Sequence, residues 1–292
     1  MAFQPINENV QIWYDSEEFS KYSKLRFYLH ALANTAFTKL EEMDQAWARK
    51  STIGASLGNI SVLDGSKDSG ALESALDSLD YMVRGNRQED KSRKLKLLDM
   101  GANTGDFLLL VSLLFPQLDL YGIELQPGAV DQYNYMYENL TNAEYPSEIS
   151  DLLAKLKTQS PPKITAGNFF GNKVNEFNAR YKEEVIWGTS KKDIDGIAND
   201  EGAYTIEQYL EKFPDPYKTL GYEISDFDVI NAYQFKINTP AVIDYLANSC
   251  KKGARIIINY DEVHRLDAEF AKYHNIKVIK TFANHCAVLE II

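Results

Sequence analysis

Five residues carry charge and backbone geometry suited to holding a small charged ligand: Asp99, Gly101, Asn103, Gly105 and Glu124. The first four lie in Leu95-Lys96-Leu97-Leu98-Asp99-Met100-Gly101-Ala102-Asn103-Thr104-Gly105-Asp106-Phe107, and the fifth ends Leu118-Asp119-Leu120-Tyr121-Gly122-Ile123-Glu124. An apolar run, a glycine turn opening an apolar helix, and a second apolar run closed by a carboxylate describe the first half of a nucleotide-binding βαβ unit. A carboxylate at that strand end can accept hydrogen bonds from two ribose hydroxyls. Leu125, next in the chain, offers an apolar edge to a base.

The spacing of the turn separates two ligand classes. A dinucleotide site uses G-x-G-x-x-G, whose middle glycine admits the pyrophosphate. Here the middle position is Asn103, which leaves G-x-x-x-G, and Asp99 precedes the first glycine by two positions. A carboxylate there repels a pyrophosphate and attracts a ligand bearing an ammonium and a sulfonium. Asp99 is thus the candidate partner of an ammonium, directly or through water, and a nicotinamide-dependent oxidoreductase is the weaker reading. A ligand-free strand-to-helix turn is the bland alternative.

Together with Asn168 in Thr165-Ala166-Gly167-Asn168-Phe169-Phe170, these residues resemble the class I S-adenosylmethionine-dependent methyltransferases. That family's pattern is an acidic residue, a G-x-x-x-G turn, an acidic residue closing the second strand, and an acidic or amide residue after the third. The resemblance covers about residues 94 to 292. It implies a Rossmann-like sheet, mainly parallel with an antiparallel last strand, and S-adenosyl-L-methionine as cofactor. It also implies a cofactor site built from Asp99, Gly101, Asn103, Gly105, Glu124, Leu125, Asn168, Phe169 and Asn231. The adenine-binding position usually carries Asp in this family; Asn168 stands there, and its amide oxygen can still accept from an adenine amino group. Phe169 either lies against the adenine face or belongs to the core.

Candidates for the chemistry follow the fourth and fifth strands, because ligands of open α/β sheets sit beyond the carboxyl ends of strands. Asn231-Ala232-Tyr233-Gln234-Phe235 loosely resembles the Asn-Pro-Pro-Tyr box of amide and amine methylating enzymes, but both prolines are absent. Tyr233 lines a methyl-transfer channel or caps the sheet. In Asn259-Tyr260-Asp261-Glu262-Val263-His264-Arg265, His264 can act as a general base, since an unperturbed imidazole titrates at about 6.5. Asp261, Glu262 and His264 could instead hold a divalent ion or form a solvated turn; no complementary acidic cluster follows strand four, so no metal is predicted. His30 and His285 fall inside apolar patterns and read as core residues.

Charge narrows the acceptor. The net charge is −11, from 42 acidic against 31 basic residues, so the chain lacks the basic footprint that nucleic acid requires. The run Lys91-Ser92-Arg93-Lys94-Leu95-Lys96 reads as a solvated approach to the first strand. A small molecule or a peptide is therefore the expected substrate. Cys250 and Cys286 lack metal-type or disulfide-framework spacing. The opening residues lack the pattern of a secretory signal, and the apolar stretch from Phe107 to Phe115 falls short of the ~20 residues of a membrane span. A cytoplasmic protein without a membrane segment is expected.

These residues need a frame. Strands are predicted at 95–99, 118–124, 163–166, 227–232, 254–259, 277–281 and 287–292. A helix begins near Asp106 and is ended by Pro116, and Pro127 opens another. Strands alternating with helices imply a mainly parallel sheet covered on both faces. Residues 1–90 form a helical cap. Within it, Tyr22, Leu25, Leu29, Leu32, Ala36, Leu40, Met43 and Trp47 recur at helical spacing, and Ala71 to Val83 reads as a further helix. That stripe packs as core or, with Tyr14, Tyr22 and His30, walls a substrate site. Residues 91–292 form the methyltransferase-like domain. Its insertion at about 171–222, with a helical piece near 205–212, is long enough to be a lid. The reading is S-adenosylmethionine-dependent methyl transfer to an oxygen or nitrogen; the alternative is a non-catalytic module that binds S-adenosyl ligands.

Overall fold

The computed structural model describes residues 94–125, 127–140, 147–181, 206–232, 239–259, 272–282 and 286–292, with Lys21, Tyr22, Lys24, Leu25, Tyr28, Leu29, Leu32 and Leu79 nearer the amino terminus. Seven strands form one sheet: β1 (Leu95–Met100), β2 (Leu118–Glu124), β3 (Lys163–Ala166), β4 (Val229–Ala232), β5 (Arg255–Asn259), β6 (Ile276–Phe282) and β7 (Cys286–Ile291). Their spatial order is β3-β2-β1-β4-β5-β7-β6. β1 to β5 pair in parallel, and β7 runs antiparallel to both β5 and β6. The sheet is Rossmann-like, mainly parallel, with the reversed last strand that the family resemblance implied.

Among the described residues from 94 onward, helices connect or flank the strands: α1 (Asp106–Leu114), α2 (Pro127–Asn139), α3 (Ser150–Thr158), α4 (Val174–Arg180), α5 (Ile206–Lys212), α6 (Pro216–Leu220) and α7 (Thr239–Ser249). Side chains alternate across the pleat and so load both faces. Leu97, Leu120, Val229, Ile257 and Val288 share one buried cluster with Leu108–Val111, Leu113 and Leu114 of α1 and Leu152, Leu153 and Leu156 of α3. Leu98, Tyr121, Ile123, Ile230, Ile256 and Leu289 share the other with residues of α4, α6 and α7. Burial on both faces is why these strands read as near-continuous apolar runs.

β4 begins two residues later than its apolar run. Phe227 is held by a short 3₁₀ turn, Ile224–Asp226, and Asp228 is bonded at its own backbone and carboxylate to Lys96, whose N–H donates to Asp228 Oδ2 at 2.9 Å. β6 is longer than expected at both ends, because β7 zips along it from Ile276 to Phe282.

Where it is described, the amino-terminal stripe packs inward, the first of the two readings given for it. Its described members are helical, and Tyr22, Leu25, Leu29 and Leu79 are buried in the same cluster as α1 and α3, with Lys24 pairing to Glu148 at 3.6 Å. Tyr22 is therefore core and does not wall a substrate site. Tyr14, His30, Ala36, Leu40, Met43 and Trp47 lie outside the described residues.

Candidate functional site

The chain leaves β1 on both sides, through β2 and β3 in one direction and β4 and β5 in the other. The carboxyl ends of β1 and β4 thus flank the switch point where open α/β sheets form their crevice. Asp99 and Asn231 are register partners there, and Asn231 Nδ2 donates to Asp99 Oδ1 at 2.9 Å. Both are buried. Burial pushes the Asp99 carboxyl up to about 7; the Asn231 hydrogen bond opposes the rise, and the carboxylates of Asp106 and Glu124 add to it. Asp106, in the first turn of α1, is a third acid at this crevice that the spacing argument did not single out.

The turn after β1 is tied down from below. Gly101 and Ala102 donate their N–H groups to the Ile123 carbonyl at 2.8 and 3.1 Å, and the Asn103 N–H donates to Glu124 Oε2 at 2.8 Å. Asn103 adopts a left-handed φ of 49° between Gly101 at 88° and Gly105 at 72°. Asparagine is among the few residues that tolerate this region. A side chain at Gly105 is excluded twice over, since its Cβ would come within 2.5 Å of both Ile164 and Tyr133 in addition to the backbone strain. The absence of a side chain at 105 thus lets the start of α1 lie directly against Ile164 of β3 and Tyr133 of α2. One oxygen of Glu124 thus serves the turn, and the carboxylate positions the loop.

Beyond β3, the Gly167 N–H donates to the Glu124 carbonyl at 2.9 Å, which holds the following residue beside the end of β2. Asn168 is 2% exposed. Its Oδ1 accepts from the Phe170 N–H at 2.9 Å, and its Nδ2 is buried without a partner. The oxygen expected to face a base thus anchors the backbone with one of its two lone pairs, and the amide nitrogen is a donor without a protein partner. Phe169 packs in the core, its ring centroid 4.5 Å from that of Phe170, and its carbonyl accepts from the Tyr217 hydroxyl at 2.7 Å.

One residue escaped the sequence reasoning. The Tyr209 hydroxyl, on α5 of the insertion, donates to the Leu125 carbonyl at 2.5 Å. Burial, and secondarily the nearby Glu124 charge, raise its phenol well above the usual range. The only sequence signal was an aromatic in the helical piece of the insertion; nothing in the spacing placed it against Leu125. Of the predicted site residues, the structure brings Asp99, Gly101, Asn103, Gly105, Glu124, Leu125, Asn168 and Asn231 to adjacent strand ends. Tyr233 and His264, with Asp261, Glu262 and His285, lie outside the described residues. Among the described residues, no group of His, Cys, Asp and Glu has a metal-binding arrangement, and no helix is long and apolar enough to cross a membrane.

No protein-family model and no curated protein matches the chain. Solved structures do. A ribosomal protein L11 methylase from Lactobacillus delbrueckii subsp. bulgaricus aligns at 10% identity and a TM-score of 0.37, covering 74% of this chain and 77% of that one. The rRNA methyltransferase aviRa from Streptomyces viridochromogenes aligns at 12% identity and a TM-score of 0.40, covering 75% and 84%. MtNAS in complex with MTA and tNA aligns at 10% identity and a TM-score of 0.39, covering 98% and 81%.

Proposed function

We propose that this protein uses S-adenosyl-L-methionine to methylate an oxygen or nitrogen of a small molecule or peptide. The observation that carries the reading is the row of groups on four adjacent strand ends, β3-β2-β1-β4: the amide of Asn168, the carboxylates of Glu124 and Asp99, and the amide of Asn231. A buried acid with two further acids around it disfavours a pyrophosphate and favours a cation. The Asn231 Oδ1 is buried without a partner, so an acceptor stands beside Asp99 for an ammonium to share.

Each group then has a role along a ligand lying across the strands. Asp99 and Asn231 hold the ammonium, Glu124 the ribose, and Asn168 and Leu125 the base; α5 covers the Leu125 edge and excludes water. Bound there, the cofactor supplies an electrophilic methyl group on a sulfonium. The chain's contribution is mainly positioning and desolvation, with Tyr233 and His264 the candidates for the acceptor channel and a proton-accepting base. The net charge of −11 favours an acceptor that is not nucleic acid.

Calorimetry with S-adenosylmethionine, S-adenosylhomocysteine and NAD tests this directly. Binding of the two S-adenosyl compounds with no response to NAD is expected. Tight NAD binding without an S-adenosyl response would overturn it, and intact S-adenosyl binding without methyl transfer to any acceptor class would leave a binding module in its place.

A further inference from the structure

The basic run that leads into β1 reaches, through Lys94, a second cavity at the opposite end of the sheet. It measures about 490 Å³ and opens at the amino ends of β1, β2 and β3, lined by Lys94, Asp119 and Lys163 with Ser112, Thr158 and Ser160. Leu118, also in its lining, starts β2, so at about 3.3 Å per residue the cavity lies about 20 Å from Glu124 and the crevice. Its charge opposes that of the whole chain, −11, because the charged residues described in its lining are two lysines and one aspartate. Lys94 Nζ stands 3.4 Å from Asp119 Oδ1. Among the described residues Lys163 forms no ion pair, and its ammonium stands 5.9 Å from the Tyr121 ring centroid. One positive charge in the lining is therefore left over.

The wall between α3 and β3 is held in place from α2. The Tyr133 hydroxyl donates to the Pro162 carbonyl at 2.7 Å and the Tyr137 hydroxyl to the Gln159 carbonyl at 3.4 Å, while Pro161 between them has a fixed φ. The cavity is thus preformed, as small-molecule sites usually are, and its volume lies within their range. Two hydroxyls in it have already placed their protons: Ser112 donates to the Leu109 carbonyl at 2.7 Å and Thr158 to the Lys155 carbonyl at 2.8 Å. Each keeps oxygen lone pairs that can accept from a ligand hydroxyl, whereas the Lys163 ammonium can only donate. We propose that this cavity is a second binding site, one that stands whether or not the crevice takes an S-adenosyl ligand. It takes a small anion that also carries hydroxyl groups, a sugar phosphate or a sugar acid. The anionic group pairs with Lys163, with Lys94 adding the charge it shares with Asp119, and the ligand hydroxyls donate to Ser112 and Thr158.

Calorimetry on the full chain with ribose 5-phosphate, gluconate and ribose tests the site, and amide exchange over 157–165 and 99–106 locates whichever probe binds. One of the two anions is expected to bind and to protect 157–165, with ribose about tenfold weaker or silent. Which anion binds tells a phosphate from a carboxylate. Lys163→Gln, at an exposed position, should weaken that anion about tenfold, and Lys163→Arg should retain it. Lys94→Gln should weaken it less, because Asp119 already shares that charge. Failure of both anions to bind, ribose binding as well as the anion, protection at 99–106 in place of 157–165, or unchanged affinity in Lys163→Gln would each overturn the proposal.

Discussion

At the scale of single residues, the buried Asp99 makes two pH dependences predictable. Its carboxyl titrates at about 7 in the fold against 3.8 for the free group, so the folded state holds a proton that the unfolded chain releases. Stability is therefore fully present below pH 4 and is lost as pH rises through 7, by up to about 1.4 kcal/mol per unit. Asp99→Asn should flatten that decline, which denaturant unfolding at pH 5 and pH 8 will show. Ligand binding runs the other way. An ammonium pairs with the ionised carboxylate, so S-adenosylhomocysteine affinity should climb as pH approaches 7 and fall again at higher pH as the ligand's own amine deprotonates. 5′-Methylthioadenosine, which lacks that amine, should show neither limb; a parallel profile for both ligands would place the ammonium elsewhere. Glu124→Ala removes a charged acceptor and should weaken S-adenosyl binding by about 1.5–3 kcal/mol. It also frees the Asn103 N–H, so Glu124→Gln, which can still accept from that N–H, is the control that separates loop anchoring from ligand contact.

At the scale of elements, α5 is the piece of the insertion that reaches the crevice. Tyr209 fastens it by one hydroxyl to the Leu125 carbonyl, next to Glu124, while α6 sits on β3, with Pro216 filling the space that a side chain at Gly167 would need. A helix of seven residues is marginal on its own and takes its stability from such packing. Ligand bound at Glu124 and Leu125 should extend that packing, so amide exchange over 206–212 should slow when S-adenosylhomocysteine is added, and Tyr209→Phe should lessen the slowing. Unchanged exchange in these residues would make α5 a static cover. The turn between β1 and α1 is the opposite case. Its conformation depends on residues 101 and 105, and Gly101→Val should abolish ligand binding, because a β-branched residue at a φ of 88° is strongly disfavoured.

At the scale of the whole molecule, the amino-terminal helical residues belong to the core that supports the sheet. Leu25 and Leu29 are fully buried with α1 and α3. Leu25→Ala or Leu29→Ala should each cost about 2–5 kcal/mol of unfolding free energy, the range for emptying a leucine site in a core. Deleting residues 1 to 40 would bare the same cluster, so aggregation and loss of ligand binding should appear together in light scattering and calorimetry. A soluble truncated protein that binds S-adenosylhomocysteine normally and fails only in methyl transfer would return this segment to the role of a lid.

What the order of residues determined by itself was local. The G-x-x-x-G turn, the acids at 99 and 124, the prolines that end or open helices, and the alternation of apolar runs are all consequences of backbone stereochemistry and hydrophobic periodicity, which act over a few residues and so are written in the chain. Asn231 was placed correctly because a strand end needs only its strand to be recognised. The hydrogen bond between Asn231 and Asp99 is another matter: it spans 132 positions and exists because β4 pairs with β1. The same holds for Tyr209 against Leu125, 84 positions apart, and for Leu25 and Leu29 beneath α1. The polarity of Asn168 shows the division most sharply. Its residue type admits either end of the amide as the backbone's partner, and only the folded turn, by setting its oxygen on the Phe170 N–H, decided which way the amide stands.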